Sequence, residues 1–177
     1  MLTTDFEFRI LPKNLNFFIF LLEKCVKMDF SIKNYGKMLN LLFLGVVMKS
    51  EKFQVKSPIL GFDNVHEVEF AEVDDGALAF LSLQGQDVEL LLINPYKVRE
   101  YSFEVPAAIQ TLLDIKANSN VKVFCVFVRD KESEILINFL APIILNDDNK
   151  TLAQVVLNAK DYPNFGVAES IKNHIKA

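Results

Sequence analysis

The chain has 177 residues, of which 51% are hydrophobic and 24% are charged, and its formal net charge is −4. This length and composition favour one folded domain with its own core and exclude a disordered chain. The acidic balance argues against direct nucleic-acid binding, because affinity for phosphates comes from lysine and arginine, whereas it permits attraction to a basic protein partner.

The first 48 residues differ from the rest of the chain. Two apolar runs, LNFFIFLL (15–22) and LLFLGVVM (41–48), are each shorter than the roughly 20 residues that a membrane-spanning helix needs. Asn14 is a candidate N-cap for a helix over 15–27 that would be apolar nearly all round and would need a partner surface. The sequence therefore predicts a helical N-terminal extension over 1–47, followed by the body of the protein over 48–177.

Three interpretations of residues 1–47 stay open at this point. The segment is a helical arm on the body, a membrane-associating element, or an over-extended reading frame with Met48 as the natural start. Met28 and Met38 are weaker candidate starts. A secretory signal is a poor match, because acidic residues precede the first apolar run and no small-residue cleavage site follows it.

From about residue 52 the pattern becomes that of β-strands. In VHEVEFA, Val68 and Phe70 alternate with Glu67 and Glu69, as in a strand with one buried face. Turn signals with single glycines separate short runs of this kind, which favours antiparallel hairpins. The predicted strands of this half are FQVKS (53–57), VHEVEFA (65–71), ALAFLSL (77–83) and DVELLLI (87–93).

The second half adds one helix and further strands. The stretch Tyr101–Val105 alternates like a half-buried strand, and Pro106 opens a helix of about 10 residues with an apolar stripe at Ile109, Leu112 and Leu113. Nearly continuous apolar runs predict central strands buried on both faces, the second bulged or at an edge near Pro142. These strands are VKVFCVFVR (121–129), ILINFLAPIIL (135–145) and TLAQVVL (151–157), followed by a weakly helical C-terminus. The fold class expected is mainly β, a small antiparallel β-barrel-like domain with one short helix.

The sequence carries no signature of catalysis, and we expect no enzyme activity, cofactor or metal site. Its glycines are scattered singly, without a phosphate-binding loop, and acid pairs such as Asp147-Asp148 lie in turn-like sequence. Cys25 and Cys125 make neither a CxxC pair nor a metal-ligand spacing with His66 and His174. The lack of a disulfide framework makes a reducing cytoplasm the expected location.

An acidic cluster and two neighbouring side chains are the candidate partner-binding residues. The cluster puts five carboxylates within nine positions, which is typical of a solvated face or of a docking site for a basic protein. The candidates are Glu67, Glu69, Glu72, Asp74, Asp75, Tyr96 and Arg99. Tyr96 and Arg99 either contact a partner or merely complete a turn.

Four stretches, in this order and spacing, resemble the flagellar assembly factor FliW family. They are KSPILGF (56–62), LINPYKVREYSFEVP (92–106), INFLAPIILN (137–146) and TLAQVVLNAKDYP (151–163). Each motif is weak alone, but the ordered set is specific, and the resemblance covers about 52–165. No counterpart of residues 1–47 exists in the family, which is why Met48 is favoured as the start.

The resemblance implies a small β-barrel-like cytoplasmic domain without enzymatic activity, which contacts neither nucleic acid nor membrane. It implies two partners: CsrA, a small basic dimer that represses translation, and flagellin. Unsecreted flagellin occupies such a protein, and its export releases the protein to capture and antagonise CsrA. The alternatives are a cytosolic flagellin chaperone without CsrA binding and a small-ligand-binding β-barrel.

The residues that carry the family motifs have the character of structural positions rather than partner contacts. Pro95 fixes its own backbone and biases Asn94 to an extended geometry, and a buried Asn138 would need hydrogen-bond partners. The motif residues interpreted as structural are Gly61, Phe62, Asn94, Pro95, Asn138, Pro142 and Gln154.

Overall fold

The computed structural model describes residues 50–73, 76–131 and 134–174. The predicted helical extension, the question of Met48, and the candidates Asp74 and Asp75 lie outside the described residues. Within the described residues, no helix is long and apolar enough to cross a membrane.

The described chain forms nine strands, one short α-helix and two 3-10 helices. The strands are β1 Ser50–Ser57, β2 Glu67–Val73, β3 Leu78–Leu83, β4 Val88–Ile93, β5 Val121–Arg129, β6 Ile135–Ile137, β7 Ile143–Asn146, β8 Thr151–Gln154 and β9 Glu169–Ser170. The helix α1 spans Ala107–Leu112, and the 3-10 helices span Pro95–Lys97 and Ile171–Asn173.

Seven of these strands close into a barrel. The ring runs β4-β3-β2-β1-β8-β7-β5, and pairing of β4 with β5 closes it, while β6 and β9 extend the sheet from the far half of β5. The predicted mainly-β barrel with one short helix is confirmed. The barrel departs from the predicted antiparallel pairing at one place, since β1 and β8 are parallel. A closed ring with an odd number of strands cannot alternate direction throughout, so one parallel pair is unavoidable.

The barrel interior is filled by aromatic and branched side chains from alternate strand positions. Phe53, Phe70 and Phe124 pack edge to face, with ring centroids 5.7 Å apart for the first pair and 5.3 Å for the second. The alternation predicted in β2 is confirmed, because Val68 and Phe70 are buried in this core while Glu67 and Glu69 are not. Such aromatic pairs stabilise a core beyond the effect of the area they bury.

A second apolar cluster lies on the outer face of β7 and β8. Ile144, Ala153 and Val155 pack there with Leu113, and the partly buried Phe103, Val105, Ile109, Tyr162 and Phe165 cover them. The predicted strand over Tyr101–Val105 is therefore wrong. Its side chains alternate between covered and exposed, but the segment lies over the barrel wall as an extended cover and joins no ladder.

Three predicted elements are shorter in the structure. The run 135–145 is two strands, because residues 138–142 leave the ladder and Pro142 has no N–H to donate. The strand expected over 151–157 ends at Gln154. The helix has six residues instead of about 10, and its predicted apolar stripe fails at Leu112, which is 45% exposed. In each case the apolar pattern continues because the chain stays packed on the barrel after the regular element ends.

Candidate functional site

The four motif stretches meet at the loop that separates β6 from β7. Gln154 is buried, and its Oε1 accepts a hydrogen bond from the Leu60 N–H at 2.8 Å while its Nε2 donates to the Ala141 carbonyl at 2.9 Å. The neighbouring Val155 N–H donates to the Pro142 carbonyl at 2.9 Å. The first, third and fourth motifs are thereby joined by hydrogen bonds at one end of β8.

The first motif forms a tight turn that presents Leu60 to Gln154. The Phe62 N–H donates to the Ile59 carbonyl at 2.8 Å, and Phe62 packs against the barrel core. Gly61 has φ of +83°, a left-handed conformation that side chains with a Cβ rarely adopt. The requirement for glycine is therefore conformational, because open space surrounds the position of its absent Cβ.

Tyr101 joins the second motif to the third. Its side chain is buried, and its hydroxyl donates to the Phe139 carbonyl at 2.7 Å. Burial is the main reason that the pKa of Tyr101 is raised, and the neighbouring Cys125 raises it further. Burial also raises the pKa of the Cys125 thiol to about 12. Both groups are therefore neutral at physiological pH, and Cys125 behaves as a small core residue rather than as a nucleophile.

Asn94 and Pro95 shape the exit from β4. Asn94 is extended, as predicted, with φ −72° and ψ 111°, and its Oδ1 accepts from the Tyr96 N–H at 3.1 Å. Its Nδ2 donates to the Gly76 carbonyl at 3.2 Å, which ties the exit of β4 to the turn before β3. Tyr96 stays 55% exposed and packs edge to face on Tyr101, so its phenol ring remains available to a partner.

The structure gives Arg99 several partners within the same chain. Its Nη1 lies 3.1 Å from Glu169 Oε2 and donates to the Asn164 carbonyl at 3.0 Å. Its guanidinium carbon lies 5.3 Å from the centre of the Phe139 ring and 5.2 Å from that of Phe165. Only 20% of the side chain is exposed. Arg99 thus holds the C-terminal segment on the barrel, and its role as a partner contact stays a prediction.

Asn138 and Pro142 bound the loop on which these contacts converge. Asn138 Oδ1 accepts from the Leu140 N–H at 3.1 Å, which stabilises the turn after β6. The contacts of the motif residues described above are made within the chain, and their interpretation as structural rather than partner-contacting positions stays a prediction. The large apolar side chains left exposed beside them are those of Leu60, Tyr96 and Val156, at 55%, 55% and 66%.

Polar and charged side chains, several of them acidic, line up across the outer face of β1 to β4. Ladder register places Lys52 opposite Glu69, Glu69 opposite Ser82, and Ser82 opposite Glu89. Ser82 Oγ donates to Glu89 at 3.0 Å, and Lys52 Nζ lies 3.0 Å from Glu67. We call Glu67, Glu69 and Glu89 the acidic row. The sequence pattern did not identify Glu89 as a candidate, because only the register across β2, β3 and β4 brings it to the same row as the two glutamates of β2.

Glu72 does not belong to this row. It lies on the opposite face of β2, where its carboxylate is 3.0 Å from Lys122 Nζ. Lys122 is also 3.3 Å from Asp147, and Lys150 contacts both Asp147 and Glu51, so alternating charges connect β1, β2 and β5 with the β7–β8 turn. The acidic segment that the sequence presents as one cluster is therefore divided between an outer surface and this ionic network.

The ionic network shifts the pKa of Asp147. Burial alone would raise the pKa of this carboxyl group, but Lys150 and Lys122 outweigh that effect and lower it. Opposite charges thus neutralise one another within the network. Within the described ranges, no group of three or more histidine, cysteine, aspartate or glutamate side chains is placed to hold a metal ion.

Comparison with known proteins identifies the family. The model of the family described as "FliW protein" matches residues 45–165. Flagellar assembly factor FliW 1 of Wolinella succinogenes is 49% identical over 125 residues, which cover 70% of this chain and 98% of that protein. The chain belongs to the FliW family. Flagellar assembly factor FliW 1 of Helicobacter pylori strain HPAG1 is 40% identical over 127 residues, covering 68% of this chain and 92% of that protein.

A solved structure of a FliW protein has a fold similar to that of this chain. The crystal structure of the flagellar assembly factor FliW superposes with a TM-score of 0.59, covering 68% of this chain and 84% of that one at 17% sequence identity. This likeness supports the seven-strand barrel and short helix described above.

Proposed function

We propose that this chain is a regulatory binding protein of flagellar assembly, which binds and antagonises the translational repressor CsrA and also binds flagellin. The observation that carries the proposal is the 49% identity to flagellar assembly factor FliW 1 of Wolinella succinogenes over nearly the whole of that protein. In this proposal the protein switches between its two partners, a role that needs exposed binding surface rather than a catalytic site. The protein acts in the cytoplasm, where both partners are made, and works without a cofactor.

The acidic row supports the CsrA half of this proposal. Glu67, Glu69 and Glu89 share an outer barrel surface, with Lys52 as the neighbouring cation in the same ladder. Complementary charge raises the rate at which a basic partner finds such a surface. The exposed side chains beside the motifs, such as Leu60 and Val156, offer apolar contact area of the kind found at the centre of protein interfaces.

Mixing the purified protein separately with CsrA and with flagellin tests the proposal. Size-exclusion chromatography with light scattering would detect a complex with each partner. A complex with flagellin alone would favour the alternative, a flagellin chaperone without CsrA binding. Failure to bind either partner would contradict the proposal.

A further inference from the structure

Residues 164–174 lie over the barrel wall, and we call this segment the strap. Its one strand, β9, has two ladder pairs with β6, and the seven-strand ring closes without either of them. Ile171 is buried, while the other strap residues are partly or fully exposed. Segments with few buried apolar contacts open at a low free-energy cost. The strap can therefore leave its place while the barrel stays folded.

The strap covers aromatic side chains that are otherwise part of the barrel wall. The Phe165 ring stacks on the Tyr101 ring, with centroids 4.7 Å apart, and the His174 ring meets the Phe139 ring edge to face at 5.5 Å. Tyr101 is 4% exposed and Phe139 is fully buried. Displacement of the strap would thus uncover aromatic surface that belongs to the second and third motifs.

One charged contact and two backbone contacts hold the strap on this surface. The Arg99 Nη1 lies 3.1 Å from the Glu169 Oε2 and also donates to the Asn164 carbonyl at 3.0 Å. The Phe139 N–H donates to the Gly166 carbonyl at 3.0 Å. Hydrogen bonds between charged groups are the stronger kind. The carboxylate is therefore the main polar feature by which this surface recognises the strap.

The strap itself shows which sequence the surface accepts. The aromatic ring of Phe165 and the carboxylate of Glu169 are four positions apart, and the Gly166 N–H donates to that carboxylate. A Cβ at Gly166 would lie 2.6 Å from the Glu169 Cγ, so an alanine there would displace the acidic side chain. The accepted pattern is an aromatic residue, a glycine, two further residues and a carboxylate.

The covered surface lies within the part of the chain that the family model matches, whereas most of the strap lies beyond it. That match spans residues 45–165 and so includes Arg99, Tyr101 and Phe139. Gly166 and Glu169 follow its last residue. The recognition surface thus belongs to the family domain, and the segment that occupies it here is an addition at the end of that domain.

We propose that Arg99, Tyr101 and Phe139 form a docking groove for an extended partner segment with the pattern aromatic-Gly-x-x-carboxylate, and that the strap is its internal competitor. A tethered segment competes at an effective concentration on the order of millimolar. A partner therefore gains the groove only when it outcompetes the strap, which makes the strap an autoinhibitory element. The proposal rests on these contacts and is independent of the binding of CsrA or flagellin.

A labelled peptide with the strap sequence, NFGVAESIKNH, tests the proposal on the full chain. Glu169→Gln weakens the strap but leaves the groove intact. We expect this variant to bind the peptide at least about tenfold more tightly than the unmodified protein does, as measured by fluorescence anisotropy. Glu104→Gln is the control, since it makes the same charge change at an exposed position outside the strap. Equal binding by the two variants, or no binding by either, would overturn the proposal.

Two altered peptides test the recognition pattern on the Glu169→Gln variant. NFGVAQSIKNH lacks the carboxylate and NFAVAESIKNH lacks the glycine, and we expect each to bind about tenfold more weakly than the strap sequence. Adding Arg99→Met should remove the difference between the peptides with glutamate and glutamine. Equal binding of all three peptides would contradict the pattern. A dimer of the unmodified protein that the strap peptide dissociates would assign the groove to the strap of a second copy and overturn the proposal.

Discussion

Gln154 and Leu60 are 94 residues apart in the chain, yet the Gln154 side-chain oxygen accepts a hydrogen bond from the Leu60 N–H at 2.8 Å. The same amide donates to the Ala141 carbonyl, so one buried side chain satisfies two backbone groups from different motifs. This contact explains why a polar residue occupies the end of β8 in an otherwise apolar run. It also fixes the turn that carries the exposed Leu60.

Replacing Gln154 should destabilise the fold. We expect Gln154→Ala to lower the free energy of unfolding by about 1–3 kcal/mol, because both backbone partners would lose a buried hydrogen bond. Urea denaturation followed by circular dichroism measures this change. Gln84→Ala is the control, since Gln84 is exposed in the β3–β4 turn. Similar losses for the two variants would contradict a bridging role for Gln154.

Removing the Arg99 guanidinium should loosen the C-terminal segment. Arg99→Met keeps the length of the side chain but removes its contacts with Glu169 and the Asn164 carbonyl. We expect a loss of about 2 kcal/mol, since hydrogen bonds to charged groups contribute about 1.5–3 kcal/mol, and faster hydrogen exchange over residues 164–174. Lys97→Met is the control, because Lys97 is exposed. Unchanged exchange in Arg99→Met would show that other contacts hold the segment.

The ionic network should make stability depend on acid pH through Asp147. Its pKa is lowered in the folded state, so its stabilising contribution is complete above the unfolded value of about 3.9 and disappears as pH falls through the folded value. We expect Asp147→Asn to cost about 1 kcal/mol at pH 7 and to weaken the loss of stability below about pH 4. Thermal unfolding between pH 2 and 7 measures both effects.

Asp114→Asn is the matched control for the pH experiment. Asp114 forms an ion pair with Lys116, but its side chain is 67% exposed, and asparagine tolerates its φ of 52°. We expect this variant to unfold with the same pH dependence as the unmodified protein. An unaltered acid profile in Asp147→Asn would refute the stabilising role of the network.

The acidic row should steer a basic partner. We expect the double variant Glu69→Lys with Glu89→Lys to slow association with CsrA about threefold to tenfold and to flatten its salt dependence. Stopped-flow or surface plasmon resonance measures the association rate. Glu72 is excluded from this test, because reversing its charge would disrupt the contact with Lys122 and confuse binding with stability.

A second double variant separates local charge from net charge. Glu100→Lys with Glu104→Lys makes the same change in net charge at two exposed positions on the segment before α1. We expect its association rate to stay closer to that of the unmodified protein. If both double variants slowed association equally, net charge alone would account for the change in rate. That result would contradict steering by the acidic row.

Local patterns in the sequence predict much of the fold. The β2–β4 hairpins are signalled by alternating residues and by turns at Gly76 and Gly85, both of which have positive φ. The sequence predicts a bulge or an edge near Pro142 but not the full break over 138–142, because a continuous apolar run does not reveal where the chain leaves one ladder and enters another. Pro142 was the one local sign of it.

Much of the candidate site could not be predicted from the sequence, because it depends on contacts between residues that are far apart in the chain. Arg99 meets Glu169 across 70 positions, and Glu89 joins Glu69 only through the register of β3. Local charge in the sequence grouped Glu67 and Glu69, which share one face of β2, with Glu72, which lies on the opposite face. The role of these residues in partner binding stays a prediction.

Titration of the purified protein with CsrA, in the absence and then the presence of saturating flagellin, is the decisive test of whether the protein switches between these partners. Isothermal titration calorimetry on the full chain would report the affinity for CsrA in both conditions. We expect a complex with CsrA alone and a marked loss of CsrA binding once flagellin occupies the protein. Binding of CsrA that is unchanged by flagellin, or absent in both titrations, would contradict a partner switch.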